Sequence, residues 1–129
     1  MDEQDLIDAA LAVRKYAYCK YSNYYVGAAL LDDNGNMHVG CNVENAAYPE
    51  GTCAEANAIA SMIAGGGKTI RSIVIVGGHD DIEDCTPCGG CRQKIAEFAD
   101  GKTTVVLIRP GGHTRSFKID QLLPRSFHL

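Results

Sequence analysis

Apolar side chains recur at Leu6, Ala10, Val13 and Ala17, a spacing of i, i+4, i+7 and i+11 that lines one face of a helix. Asp2, Glu3 and Asp5 stand where the positive end of a helix dipole favours carboxylates, so the pattern predicts a helix over residues 3–18. Two apolar runs follow, 26–31 and 37–43, separated by a polar stretch containing Asn34-Gly35; this is a hairpin signal. Residues 53–64 are rich in Ala, Ile and Met and predict a helix, stopped by Gly65-Gly66-Gly67. Ile73-Val74-Ile75-Val76 is β-branched throughout and reads as a strand buried on both faces. A polar loop over 77–84 leads to a second helix over 87–99, with Thr86 as its N-cap and Pro87 in its first position. Asp100-Gly101 predicts a turn, 103–108 a buried strand, and 114–119 a short edge strand.

From residue 37 the order is strand, helix, strand, helix, strand. Two βαβ units of this kind predict three strands running the same way with right-handed crossovers, and the hairpin adds an antiparallel neighbour. Both inner helices then begin just beyond the carboxyl end of a strand, at Cys53 and near Cys88. Ligands of open α/β sheets sit along that edge, so residues 35 apart in the chain are expected to meet there.

Composition narrows the function. The 129 residues are 46% hydrophobic and 22% charged with a net charge of −4, the profile of one globular domain, 1–129, rather than a disordered chain. No apolar run approaches the roughly 20 residues of a membrane helix, so no membrane partner is expected. The absence of a Lys/Arg cluster argues against a nucleic-acid partner. The acidic start, Met1-Asp2-Glu3-Gln4-Asp5, is unlike an export signal, which implies a cytoplasmic setting. In that reducing setting six cysteines point to metal or redox chemistry more than to a disulfide framework.

The two inner helix starts carry the chemistry. One reads Thr52-Cys53-Ala54-Glu55 and the other Thr86-Pro87-Cys88-Gly89-Gly90-Cys91. Cys88 and Cys91 are three residues apart and face the same way on a helical turn, and Cys53 supplies a third sulfur. Helix N-termini favour thiolate, the form that binds metal. Three thiolates on a tetrahedral zinc leave one position for a water, whose pKa the ion lowers to about 7. Glu55 lies two residues beyond Cys53, placed to move that water's proton. Cys-x-Glu followed by Pro-Cys-x-x-Cys matches the signature of zinc-dependent deaminases of nucleobases.

The chain resembles the small homotetrameric cytidine deaminases over nearly its whole length. The resemblance is carried by residues 21–30 (YSNYYVGAAL), 40–55 (GCNVENAAYPEGTCAE), 87–93 (PCGGCRQ) and 122–127 (LLPRSF). It implies a three-layer α/β/α sandwich with a mixed five-stranded sheet and one Zn²⁺ per chain. It implies hydrolytic deamination of cytidine and 2′-deoxycytidine in pyrimidine salvage, with zinc-bound hydroxide attacking C4 and Glu55 shuttling protons. Further implications are that Asn42 and Glu44 bind the ribose hydroxyls, Tyr24 lines the pocket, and the backbone of Ala54 contacts the base. Phe127 would stack on the base in a neighbouring subunit's site, with Ala46 and Tyr48 approaching across a subunit boundary.

Two departures stand out. Many relatives carry Arg directly after the catalytic Glu, where this chain has Ala56, and Tyr24-Tyr25 replaces a common Phe-Pro pair. Arg92 and Asn57 are candidates to offset the missing cation. Other functions remain open to the residues alone. These are a deaminase of another aminated heterocycle such as a blasticidin S-like nucleoside, a non-catalytic protein with a closed zinc site, and a thiol redox protein using Cys88 and Cys91. Cys85 precedes Pro87, outside the expected helix, and with Cys19 and Cys41 reads as a structural thiol.

Overall fold

The computed structural model describes residues 2–129; Met1, part of the acidic start considered above, lies outside the described residues. Helix α1 spans Glu3–Arg14, strand β1 Tyr25–Asp32 and strand β2 Met37–Cys41. A single 3-10 turn at Tyr48–Glu50 precedes helix α2, Ala54–Ala64. Strand β3 is Ile70–Gly78, helix α3 Gly89–Phe98 and strand β4 Ala99–Ile108. Strand β5, Thr114–Lys118, and the short helix α4, Ile119–Leu122, complete the order.

The five strands form one mixed sheet in the order β2-β1-β3-β4-β5. Strands β2, β3 and β4 share one direction, as the βαβ reading expects, because β1 is antiparallel to both β2 and β3 while β3 and β4 are parallel. The sequence placed β1 only as a hairpin partner. The fold inserts it between β2 and β3, pairing Gly27 with Cys41 on one side and with Val76 on the other. Val26-Gly27-Ala28-Ala29-Leu30 is small and apolar on both faces, which suits a central position. That insertion brings the N-terminal end of β1, and Tyr24 just before it, to the sheet edge where α2 and α3 begin.

Two layers of helix cover the sheet. On one face α1 packs Leu6 and Ala10 against Ala29, Val74, Val76, Val106 and Ile108. On the other, Ala54, Ala58, Ile59 and Met62 of α2 and Ile95 of α3 meet Ala28, Leu30, Ile73, Ile75, Val105 and Leu107. Each fully buried aliphatic side chain here contributes about 1.5–3 kcal/mol relative to exposure. The contact of α2 with β2 is backbone-close. A side chain at the buried Gly40 would lie 2.5 Å from both the Ala54 carbonyl oxygen and the Ala58 nitrogen.

Three boundaries differ from those the pattern predicts. Helix α1 stops at Arg14 rather than residue 18, because Tyr18 turns to pair with the 42–44 loop. Its N–H donates to Asn42 O at 3.0 Å, and its carbonyl accepts from Glu44 N at 2.7 Å. Helix α3 is capped by Cys88, not Thr86, with Cys88 extended at φ −64°, ψ 166°. The first turn closes from Arg92 N to Cys88 O at 2.9 Å, while Arg92 Nε donates to Pro87 O at 2.8 Å and holds Pro87 outside the helix. Strand β4 begins at Ala99. The Asp100-Gly101 turn survives as a register shift within it, closed by Asp100 N donating to Thr103 Oγ1 at 2.9 Å.

Candidate active site and metal centre

Cys53 and Cys88 are the N-caps of α2 and α3, and neither helix has a side-chain hydrogen bond at its cap. Each helix therefore opens with a sulfur at the positive end of its dipole and with free backbone N–H groups. Cys91 sits one turn into α3, buried, while Cys88 is exposed. The three Sγ atoms lie within 4.8 Å of one another, the one such metal-capable cluster among the described residues. Zinc–sulfur bonds of about 2.3 Å at tetrahedral angles need sulfurs roughly 3.8 Å apart, so this soft donor set fits a zinc ion. All six cysteines are free thiols.

The cluster favours ionised sulfur. Hydrogen bonding from the Cys91 thiol holds Cys53 down at about 6; burial opposes this, and Cys88 and the Lys94 charge assist. Cys91 moves up correspondingly, through its bond to Cys53 and through burial. Glu55 follows Cys53 by two residues, on the first turn of α2, and is only 4% exposed. Burial pushes its carboxyl above the ordinary glutamate range, and the negative charge of Cys53 adds to the rise. A carboxyl raised toward neutrality beside a metal-binding triad can both take and return a proton.

An open cavity of about 360 Å³ lies over this group. Its lining includes Cys53, Ala54, Glu55 and Cys88 from the two helix starts. Tyr24 and Val26 come from the start of β1, Asn42, Glu44 and Tyr48 from the β2–α2 loop, and Cys85 and Thr86 from the β3–α3 loop. A second hollow of about 430 Å³ lies near the C-terminal tail and holds none of the clustered sulfurs.

Most residues singled out from the sequence meet here, and two do not. Ala46 is exposed in the loop and Phe127 is 70% exposed on the surface; neither lines the cavity. Phe127 is gripped at its backbone, with Gln93 Nε2 donating to its carbonyl at 2.8 Å and its N–H donating to Gln93 Oε1 at 3.2 Å. Asn42 and Glu44 line the cavity while also bracing loops. Asn42 Oδ1 accepts from Val26 N at 2.9 Å and its Nδ2 donates to Tyr24 O at 2.8 Å. Glu44 accepts from Tyr21 N and Ser22 N at 3.0 and 3.1 Å and from the Ser22 hydroxyl, which holds it below the usual carboxylate range.

Neither suggested substitute for the missing arginine bonds to sulfur. Arg92 donates to Pro87 O and Leu122 O, and Asn57 to Cys41 O and Thr52 Oγ1. The cation acting on Cys53 is Lys94, on the exposed face of α3. Cys85 and Thr86 were missed as cavity residues. The signal was their place in a loop leaving β3 at the same edge.

Residues 1–107 match the family model described as the cytidine and deoxycytidylate deaminase zinc-binding region. The chain is 38% identical to the cytidine deaminase of Sporosarcina psychrophila over 98% of its own length and 92% of the relative's. Its fold matches the crystal structure of cytidine deaminase from Burkholderia pseudomallei with a TM-score of 0.89 at 40% identity, covering 98% of this chain and all of the other. The corresponding figures for the Mycobacterium tuberculosis cytidine deaminase structure are 0.83 and 33%, covering 100% and 99%. The chain belongs to the cytidine deaminase family. Family membership accounts for the paired helix starts, with three sulfurs in position for one zinc ion per chain and a buried carboxyl beside them. It disfavours a closed structural zinc site and a two-cysteine redox centre, neither of which needs Cys53 and Glu55 together at an open cavity.

Proposed function

We propose that residues 1–129 form one catalytic domain that hydrolyses the 4-amino group of cytidine and 2′-deoxycytidine, giving the uridine nucleoside and ammonia. The observation that carries this reading is the buried Glu55 carboxyl set beside three convergent sulfurs under an open, nucleoside-sized cavity. Zinc held by Cys53, Cys88 and Cys91 supplies, when bound, the Lewis acidity that makes water a nucleophile near neutral pH.

Glu55 takes a proton from the attacking water and delivers it to N3 of the base as C4 becomes tetrahedral. It next takes the proton of the hydroxyl now on C4 and gives it to the amino group, which departs as ammonia as the C4 carbonyl forms, so one carboxyl serves as base and acid in the same turnover. Asn42 and Glu44 present an amide and a carboxylate to the sugar hydroxyls; both have acceptor or donor capacity beyond their loop bonds. The Tyr24 ring walls the pocket, and the backbone of Ala54, at the start of α2, faces the base.

A homotetramer completes the pocket. Tyr48 and Phe127 are 80% and 70% exposed, large aromatic surface that a second copy would cover, with Ala46 beside the boundary. The proposed setting is pyrimidine salvage in the cytoplasm; no helix among the described residues is long and apolar enough to cross a membrane. The test is the loss of the cytidine ultraviolet band on incubation with purified protein, alongside zinc analysis. Glu55→Gln is expected to retain zinc and to lose about 10²–10⁴-fold or more in kcat, since each proton transfer contributes on that scale. Wild-type protein that binds zinc and leaves cytidine and deoxycytidine intact overturns this reading.

A further inference from the structure

We propose that Arg14 is a positioning residue for the pocket: its guanidinium fastens the start of β1 to the end of β3 and so fixes the Tyr24 wall against Asn42. The inference rests on reading that pocket as a nucleoside site. It adds a residue from α1, on the opposite face of the sheet from α2 and α3, that does not line the cavity.

Three observations converge on Arg14. First, it spans a fork. Strands β1 and β3 pair as far as Tyr25 opposite Gly78; beyond that pair Tyr24 lines the cavity, while His79 enters the loop that carries Cys85, Thr86 and Cys88. Arg14 Nε donates to Tyr25 O at 2.9 Å, and its Nη2 donates to Gly78 O at 2.9 Å and His79 O at 3.0 Å. One planar guanidinium thus holds three carbonyls from both arms. Second, its reach is fixed at its root. A side chain at Gly27 would lie 2.9 Å from both Arg14 Cβ and Arg14 N, so the last turn of α1 rests on bare β1 backbone. Third, a cavity residue grips the same stretch from the other side. Successive peptide groups of a strand point in opposite directions. Tyr25 O faces Arg14, whereas Tyr24 O accepts from Asn42 Nδ2 at 2.8 Å and Val26 N donates to Asn42 Oδ1 at 2.9 Å. His79, whose carbonyl Arg14 holds, also sets its ring edge-on to that of Tyr24, with centroids 5.0 Å apart.

The consequence follows from the strength of hydrogen bonds given by a charged donor and from the cost of leaving their acceptors bare. Without the guanidinium, Tyr25 O and the two carbonyls at the end of β3 must turn toward water, and the fork opens. Residues 24 and 26 turn with Tyr25, which moves the Tyr24 ring and releases the Asn42 amide from its setting. Cys53, Glu55 and Cys91 stand at the starts of α2 and α3 and make none of these bonds. Substrate binding therefore moves more than the chemical step.

Wild type, Arg14→Met and Arg14→Lys test this. KM and kcat for cytidine are measured on the zinc-loaded proteins, with thermal midpoints and amide hydrogen exchange across the chain. Arg14→Met keeps the packed stem and removes the donors. It is expected to raise KM about tenfold with kcat and zinc content changed by less than about twofold, the scale of one lost charged hydrogen bond. Exchange is expected to quicken in residues 22–27 and 78–86 and to stay unchanged in α2 and β4. Arg14→Lys keeps the charge, but an ammonium lacks the planar fork that serves both strands, so its KM is expected to rise by at least about threefold. A wild-type KM in Arg14→Met overturns the proposal, as does a lowered midpoint with exchange quickened throughout the chain, which makes Arg14 structural alone. A wild-type KM in Arg14→Lys overturns the forked geometry. If Arg14→Met does not fold, Arg14→Lys makes the same comparison against wild type. If wild type fails to deaminate cytidine, the proposed function falls. Exchange then still decides the clasp: faster exchange confined to both arms of the fork supports it, and unchanged exchange in either arm overturns it.

Discussion

Gly40 lies in β2, and replacing it with alanine tests how the sheet positions the chemistry. A Cβ there would sit 2.5 Å from Ala54 O and from Ala58 N, and 3.0 Å from the Asn57 carbonyl carbon. All three are backbone atoms of α2, so no side chain can swing aside. Ordinary contact begins at 3.4 Å, so the helix must retreat by about 1 Å, on the scale at which misplaced catalytic groups lose about 10²-fold in rate. The helix that retreats carries Glu55 on its first turn and Cys53 as its cap. Overpacking of this kind also costs about 1–3 kcal/mol of stability. Gly40→Ala is therefore expected to lower kcat/KM for cytidine about 100-fold and to weaken zinc retention against a chelator. Its melting midpoint should fall by roughly 4–10 °C. Gly101→Ala is the control, since nothing lies within 4 Å of its added carbon and its φ is ordinary. Wild-type activity, zinc retention and melting in Gly40→Ala would refute the claim that this backbone contact sets the position of the site.

Asp32 is buried at the hairpin, where burial pushes its carboxyl up but the Asn36 N–H, the His38 ring and the Asn34 N–H together hold it below its ordinary value. A depressed carboxyl contributes stability that is present above the unfolded value of about 3.9 and disappears as pH falls through the folded one. The melting midpoint should thus fall steeply below about pH 4, and Asp32→Asn should flatten that acid limb while lowering the neutral-pH midpoint by roughly 5–10 °C. An unchanged acid limb in the variant assigns the effect elsewhere. Phe127→Ala should raise KM for cytidine about tenfold, the loss of one aromatic contact. Refolding it together with Glu55→Gln chains should restore low-KM turnover if the proposed shared site exists, because mixed assemblies would then pair an intact Glu55 with a neighbour's intact Phe127. No recovery on mixing removes Phe127 from the shared site.

The chemistry was legible because it is local. Cys53-Ala54-Glu55 and Cys88-Gly89-Gly90-Cys91 each lie at a break between a loop and an apolar helical run, and a strand precedes each. Those facts alone bring the sulfurs to one edge. The position of β1 was not legible, since an apolar run states that a strand is buried and not which strands flank it. The α3 cap was misplaced because Pro87 after Thr86 imitates a helix start, whereas the guanidinium of Arg92, reaching back to Pro87 O, decides the first turn. Asn42 and Glu44 each carry loop bonds with residues 16–23 positions away, so their structural work is invisible to motif spacing.

The central seat of β1 also orders events on the ribosome. The first hairpin emerges early and has its own local partner, but its free edge waits for β3, and the trio of sulfurs is incomplete until Cys91 has been synthesised. Cys53 therefore emerges well before its companions, on a nascent chain that cannot yet hold an ion tetrahedrally. An ion held by all three sulfurs therefore cannot be bound before α3 has been made.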